Sequence, residues 1–221
     1  NSMPANLRGS VNVTVTIDPG VGVYSPSLAP AMTTGDFPLG STVRIINNGY
    51  IEGRGGNGGP GQFSEGCPGG GYYRVEPGYG RPGGDALFVT YPVTIDNSGV
   101  KIYAGGGGGG SGAHKCTYNG TGGGGGGAGW TPGRGGVGGR EVNSGWPGRS
   151  GTHDVGGAGG RGQCGSNGGR GGNPGQPGRW GITDCASNGS SRPGQPGVAV
   201  RGSGLITWSP KGDVRGSEIP F

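Results

Sequence analysis

Histidine and cysteine offer the widest range of side-chain chemistry, and the sequence contains few of either. There are two histidines, His114 and His153, and four cysteines. Neither histidine stands at a Ser/His/Asp or Cys/His spacing that would activate a nucleophile. The cysteines form no C-x2-C pair, which a structural zinc site favours. GxGxxG-like strings are frequent, but none follows a strand and opens a helix. The sequence therefore predicts no catalytic residue, no metal site and no cofactor.

The cysteines suit disulfide bonds or free thiols better than a metal. They are Cys67, Cys116, Cys164 and Cys185. Four cysteines allow three different pairings, and their number alone does not choose among them.

Aromatic residues beside basic ones provide a different chemistry, which is recognition of another molecule. Tyr and Trp bring large contact areas at a small cost in side-chain entropy. Three segments combine such residues, at 62–84, 113–119 and 140–147. The longest, 62–84, is the first candidate for a receptor contact. The candidate binding residues are Tyr72, Tyr73, Arg74, Tyr79, Arg81, His114, Lys115, Tyr118 and Trp146.

The elements that must position these side chains are unusual in composition. The chain has 64 Gly and 18 Pro among 221 residues, an excess that usually indicates low complexity or disorder. Hydrophobic residues make up 28% and charged residues 13%, so an ordered chain needs something other than a large apolar core. No apolar run approaches the ~20 residues of a transmembrane helix, so we expect the chain not to span a membrane.

Four segments carry ordinary strand patterns, at 10–17, 41–53, 85–106 and 204–216. The first alternates Val or Ile with Asn or Thr, which is typical of a half-buried strand. The other three share a skeleton of strand, Gly-containing bend, strand and glycine. Because the spacing of this repeat is irregular, the sequence does not predict a solenoid.

Between the strands, side chains recur at every third position among glycines. One such series starts at Val155 and ends at Arg179. A period of three differs from that of an α-helix or a strand and matches polyproline II, which has no internal hydrogen bonds. Buried backbone groups must nevertheless be paired, so each segment has to bond to its neighbours. A collagen triple helix would also meet this need, but it requires glycine at every third position. Here that series of glycines is interrupted at Val142, Asp154 and Gln163.

The pattern therefore predicts a lateral array of polyglycine-II helices. An interior helix has no room for Cβ atoms, so the six-glycine runs 105–110 and 122–127 are predicted to be interior. G-G-x runs are predicted to lie at the edge, where one residue in three is exposed. The predicted fold is mostly irregular and β, with short N-terminal strands followed by about eight to ten such helices and loops at both ends.

If successive helices reverse direction, their connections alternate between two ends of the array. One end then collects 62–82, 113–119, 140–147 and 163–167, which hold all the candidate binding residues. Cys67 and Cys116 share that end, which makes them a candidate disulfide. The other end collects Trp130, His153 and Trp180. At either end, aromatic side chains that cap the open array are the structural alternative to a binding role.

The segment "GDFPLGSTVRIINNGYIEGRGGNGG" (35–59), followed by all-glycine runs with aromatic interruptions, resembles a known family. It is similar to the polyglycine-II sandwich adhesins of tailed bacteriophages. These form the tip of long tail fibres or the C-terminal tip of central tail-fibre host-specificity proteins. The resemblance covers roughly residues 37–200.

The resemblance implies a non-enzymatic adhesin at the tail-fibre tip of the virion. Its partners would be a bacterial outer-membrane protein or surface glycan, and the remainder of the fibre. We expect residues 1–52 to form an attachment base and 53–200 a receptor-binding domain that includes the strands near 85–104. Residues 201–221 are expected to pack back on the base.

Three other functions compete with this hypothesis. An ice-binding or purely structural glycine bundle would share the helices but lack the strands and aromatic loops. A collagen-like trimeric stalk would need a continuous glycine phase. The sequence pI of about 9.2 and the RGG tripeptides at 134–136 and 170–172 favour nucleic-acid binding. Because these arginines keep a strict period of three, we expect a solvated edge instead, and no nucleic acid.

Overall fold

In the part of the chain that the structure describes, twelve short β-strands and one 3-10 turn are interrupted by two long glycine-rich insertions. The computed structural model describes residues 9–61, 78–113, 120–139, 145–162, 166–182 and 191–221. The strands are β1 (Asn12–Ile17), β2 (Gly22–Tyr24), β3 (Met32–Thr33), β4 (Thr42–Asn47), β5 (Tyr50–Glu52), β6 (Leu87–Phe88), β7 (Val93–Asp96), β8 (Lys101–Tyr103), β9 (Val198–Arg201), β10 (Ile206–Trp208), β11 (Asp213–Arg215) and β12 (Ser217–Ile219), with the 3-10 turn at Ser203–Leu205.

The strands coil into a three-sided parallel solenoid of four rungs. The three sheets have the orders β1-β4-β7-β10, β2-β5-β8-β11 and β3-β6-β9-β12, and every neighbouring pair is parallel. The irregular spacing of the repeat did not predict this solenoid. Its period is hidden because two rungs are interrupted between their second and third strands, by 53–86 and by 104–197. Each sheet contains strands from 1–52, from 53–200 and from 201–221, which are the three predicted domains. The division into domains stays a prediction.

Apolar side chains from successive rungs stack inside the solenoid. In β4 every second residue is buried, at Val43, Ile45 and Asn47, as the alternation of a strand requires. Ile45 lies in register with Ile95 of β7. The amide of Asn47 is buried at the corner after β4, where its Nδ2 donates to Asn97 Oδ1 at 2.7 Å.

The described residues of the two insertions form ten extended glycine runs whose backbone hydrogen bonds go mostly to one another, with bonds to strands or turns near the ends, such as Gly53 to Tyr103 and Ala104 to Arg215. In chain order they are run 1 (53–61), run 2 (78–84), run 3 (104–113), run 4 (120–129), run 5 (133–139), run 6 (145–151), run 7 (156–162), run 8 (166–173), run 9 (176–182) and run 10 (191–197). Within the described ranges, no run makes a backbone hydrogen bond to itself. Successive N–H groups of run 3 point at three neighbours in turn: Gly106 donates to Ala128, Gly107 to Gln176 and Gly108 to Arg81. This repeat of three residues per turn confirms the predicted glycine-helix fold.

Runs 3 and 4, which hold the six-glycine stretches, lie at the centre of the array. Run 3 donates to runs 2, 4 and 9 and accepts from runs 1, 8 and 10; run 4 donates to runs 1, 6 and 8 and accepts from runs 3, 5 and 7. The bonds arrange the runs in three layers, with runs 2, 1 and 5 outside, runs 10, 3, 4 and 6 in the middle, and runs 9, 8 and 7 outside. We call this three-layered array the slab. A Cβ at Gly109 would overlap the carbonyl oxygen of Gly169, and one at Gly125 would overlap that of Gly157. The prediction of interior all-glycine helices is confirmed.

The slab has two different ends. At the strand end, turns at 130–132, 152–155 and 173–176 join successive runs. In the last of these, Gln176 N–H donates to Asn173 C=O, and Gly175 has a φ of 70°, which glycine tolerates best. We call the opposite end the distal end. Each stretch outside the described residues that interrupts the slab leaves and rejoins it there, at 61 and 78, 113 and 120, 139 and 145, 162 and 166, and 182 and 191.

Candidate functional site

The described candidate residues lie on outer or edge runs, Tyr79 and Trp146 near the distal end and Arg81 halfway along its run. Tyr79 and Arg81 lie on run 2, where the Gly80 N–H donates to Arg192 C=O and the Arg81 N–H to Asn57 C=O. These bonds fix the backbone while both side chains face solvent, and Tyr79 is 47% exposed. The period of three explains this geometry, because neighbouring runs close around the intervening glycines and leave one position in three open.

Trp146 is presented in the same way at the start of run 6. Its N–H donates to Arg161 C=O at 2.7 Å, and its own carbonyl accepts from the Gly123 N–H of the interior. The indole is 68% exposed. A large aromatic surface on a backbone bonded from two sides can contact a partner without ordering a loop first.

Two buried serines close the distal end of the interior. The Ser111 and Ser191 hydroxyls lie 3.0 Å apart, and Ser111 Oγ also accepts from the Gly78 N–H. Both serines are fully buried. They tie runs 2, 3 and 10 together beside Gly78, which immediately precedes the exposed Tyr79. Sequence reasoning did not single them out, although a serine that ends a six-glycine run is a visible signal.

The remaining candidates lie outside the described residues. They are Tyr72, Tyr73, Arg74, His114, Lys115, Tyr118, Cys67 and Cys116. Their segments, 62–77 and 114–119, join the slab at the distal end, so the binding role and the Cys67–Cys116 disulfide stay predictions. Segment 183–190 joins the same end, which the alternation of ends in the sequence did not reveal.

Trp180 differs from its predicted position. It lies within run 9, near the level of Gly169 and closer to the distal end than to the turn at Gly175. The reversal at 173–176 is invisible in the pattern, because Asn173 and Gln176 are themselves three residues apart. The period of three therefore passes through the turn without a break. Trp130 and His153 do lie at the strand end.

A cluster of titratable and aromatic residues joins the slab to the solenoid at that strand end. Glu52 of β5 is 1% exposed, and its Oε2 lies 2.9 Å from His153 Nε2. These two atoms are not aligned for a hydrogen bond, and no described group donates to Glu52 Oε1. Burial raises the pKa of Glu52 to about 8, opposed by the charge of Lys101 and supported by that of Asp154. The carboxyl is therefore protonated at neutral pH.

Aromatic rings pack around this cluster. Trp130 packs against His153 at 5.0 Å and against Tyr50 at 5.6 Å between ring centroids, and it stacks on Tyr24 at 6.1 Å. Asp154 contacts the other imidazole nitrogen of His153 and pairs with Lys101 Nζ at 2.9 Å, which lowers the pKa of Asp154. The arrangement fits a structural junction. No group of metal-ligating residues occurs within the described ranges, and no helix there is long and apolar enough to cross a membrane.

Comparisons with known proteins identify the family to which the chain belongs. The family model described as phage tail fibre adhesin Gp38 matches residues 1–219. A solved structure, the gp37-gp38 adhesin tip complex of the bacteriophage S16 long tail fiber, is similar with a TM-score of 0.57 and 28% sequence identity. The match covers 97% of this chain and 74% of that one. No curated protein matches the chain significantly. The chain belongs to the phage tail fibre adhesin Gp38 family, and it is a tail-fibre protein that binds a receptor on the host.

Proposed function

We propose that the distal end of the slab is the receptor-binding surface and that the receptor is an outer-membrane protein of the host bacterium. The observation that carries this proposal is the shared end: exposed Trp146 and Tyr79 lie where all the interrupting segments join the slab. The binding residues are the described Tyr79, Arg81 and Trp146 together with Tyr72, Tyr73, Arg74, His114, Lys115 and Tyr118. Binding by this surface is non-enzymatic and takes place outside the host cell.

The glycine lattice explains why such a surface would be effective. Each outer run is held by backbone bonds to an interior run, and the interior has no space for movement or for side chains. A rigid framework lowers the entropy lost on binding, so the exposed aromatic side chains contribute more of their contact energy. The connecting segments can vary in sequence without altering the bonds that hold the runs.

We propose further that the solenoid attaches the protein to the remainder of the tail fibre. The structural neighbour is a complex of gp38 with gp37. Among the described residues, β1, β2 and β3 form the outer edge of the first rung, with no strand paired beyond them. The exposed apolar residues Val21, Tyr24 and Leu28 lie near them. Open parallel edges with apolar neighbours suit addition of further strands.

The ice-binding alternative receives less support from the outer layers. Such a function calls for a flat face of regularly spaced small residues. Here the exposed third positions carry Arg81, Arg134, Arg170 and Arg179, and Trp180 follows the last of them.

Competition with phage for host cells tests the proposal. Purified protein should block adsorption of phage that carry it, and it should bind cells that contain the receptor but not a receptor-deletion strain. An unrelated glycine-rich protein of equal concentration serves as the control. Equal binding to all strains, including those resistant to the phage, would contradict a protein receptor.

A further inference from the structure

Five arginines project from consecutive runs around one side of the slab. They are Arg149 of run 6, Arg161 of run 7, Arg170 of run 8, Arg179 of run 9 and Arg192 of run 10, and all are exposed. The Arg179 N–H donates to Arg170 C=O at 2.7 Å, so these two side chains leave the slab at neighbouring points. The hydrogen-bonded register puts Arg149 at the level of Ala158, one turn from Arg161. We call these five residues the arginine face.

The arginine face lacks counter-charges within the described part of the chain. The carboxylates described in the structure lie on the solenoid or at the strand end, where Asp154 is already paired with Lys101. The ion pairs of other arginines involve Arg44, Arg201 and Arg215, all in the solenoid. None of the five face arginines pairs with a described carboxylate. Their positive charges therefore add to one field.

The polar groups around two of these arginines suit a small anion. Arg170 and Arg179 line a shallow depression together with Asn173 and Gln176. Arg170 Nε donates to Gly156 C=O at 3.2 Å, which anchors the base of its guanidinium and leaves the terminal nitrogens available. A guanidinium can bond two oxygens of a phosphate at once. The rigid slab holds these groups at fixed separations, so little order must be created on binding.

We propose that the arginine face binds the phosphate-bearing anionic headgroups of the host membrane surface while the distal end engages the receptor. This inference rests on the proposed function, which brings the side of the slab close to the cell envelope. The arginines are spread over several parallel runs of a broad face. That arrangement suits an array of separate headgroups better than a single nucleic-acid strand, which is normally tracked along one groove.

Vesicle binding tests this inference directly. The probes are zwitterionic phospholipid vesicles and matched vesicles containing anionic phospholipid, with the intact protein in both cases. We expect binding only to the anionic vesicles, and we expect it to weaken as salt rises, since exposed charges are screened. The variant Arg161→Gln/Arg170→Gln/Arg179→Gln should bind on the order of 100-fold more weakly, at about fivefold per arginine. The corresponding triple Lys variant should keep most of the binding.

A charge-matched variant controls for net charge. Arg44→Gln/Arg201→Gln/Arg215→Gln removes three positive charges from the solenoid, and it should bind vesicles nearly as well as the wild type. Circular dichroism and the unfolding midpoint establish that each variant is folded. Absence of binding to anionic vesicles at low salt would overturn the inference, as would an equal loss in the two triple Gln variants. Tighter binding to single-stranded nucleic acid with the same arginine dependence would also overturn it.

Receptor binding is measured separately on the same variants. If the wild-type protein does not bind anionic vesicles but adsorbs normally to receptor-bearing cells, the arginine face alone is refuted. Normal vesicle binding in a Trp146→Ala/Tyr79→Ala variant whose adsorption is also normal refutes the distal-end proposal alone.

Discussion

The imidazole of His153 reaches the buried carboxyl of Glu52, with Nε2 2.9 Å from Oε2. His153 belongs to the turn between runs 6 and 7, whereas Glu52 is the last residue of β5. The contact therefore links the slab to the solenoid across many residues of sequence. Lys101 and Asp154 face the same pair from β8 and from the turn, and Trp130 and Tyr50 cover it.

The raised pKa of Glu52 predicts that folding stability falls as pH rises. The folded carboxyl has a pKa of about 8, against 4.5 as its ordinary value. Between these values the unfolded chain has released a proton that the folded chain still holds, so increasing pH favours unfolding. The contribution is complete below pH 4.5 and is lost by about pH 8.

Glu52→Gln should flatten this dependence and stabilise the protein by a few kcal/mol near pH 8. Urea unfolding of both proteins between pH 5 and 9 measures it. Glu218→Gln, which removes the surface partner of Lys211, is the control and should leave the slope unchanged. A wild-type stability that rises with pH through this window would contradict the assignment.

Gly109→Ala should destabilise the slab strongly. The added Cβ would overlap the carbonyl oxygen of Gly169, and the backbone on every side is fixed by hydrogen bonds. We expect a loss of at least about 3 kcal/mol, more than the gain from a less flexible unfolded chain. The free energy of unfolding provides the measurement. Gly9→Ala is the control because a Cβ there meets nothing within 4 Å, and the two variants should not behave alike.

Asn97→Ala should destabilise the solenoid corner by at least about 2 kcal/mol. Asn97 Oδ1 accepts from Asn47, and its Nδ2 donates to the carbonyls of Lys211 and Val100. Removal of the amide takes one hydrogen bond from each of these groups, which lie on three successive rungs. The midpoint of thermal unfolding measures the effect, and Ser98→Ala on the exposed side of the same bend should shift it little. Similar shifts in both variants would argue against the corner's role.

Trp146→Ala should weaken adsorption to host cells by on the order of 10-fold or more, because exposed aromatic anchors dominate many interfaces. The unfolding midpoint should not change, since the side chain is 68% exposed. Phe221→Ala supplies a matched control, because Phe221 is 77% exposed but follows β12 of the solenoid, away from the distal end. Equal effects of the two substitutions on adsorption would contradict a binding surface confined to the distal end.

The local periodicity of the sequence predicts much of this fold. Glycine at every position forces the interior location of 105–110 and 122–127, because only a backbone without Cβ fits there. The solenoid could not be predicted because long insertions separate the second and third strands of two rungs. The strands therefore recur at no constant spacing in the sequence. The turn at Asn173 could not be predicted because the turn preserves the period of three.

The candidate site was predictable by residue type and only in part by position. Tyr79 and Trp146 lie at the end of the slab that was predicted for them, and for Trp146 the prediction depended on the bulky residue that marks the reversal at Trp130. Their binding role stays a prediction. The Glu52–His153 contact had no signal in the sequence, since the two residues meet only through the long insertion. The arginine face likewise depends on the register between runs, which local pattern does not specify.

The insertion of runs 3–10 between β8 and β9 also determines the order in which the protein can be completed. The strands β9, β10, β11 and β12 all follow residue 197, and they supply the last strand of every sheet. A chain that ends or misfolds within runs 3–10 therefore lacks the final rung and the third side of the rung before it. Such distant pairings are slow to form, because the intervening loop must be ordered first. The last rung of the solenoid can therefore form only after the chain of runs 3–10 has been made.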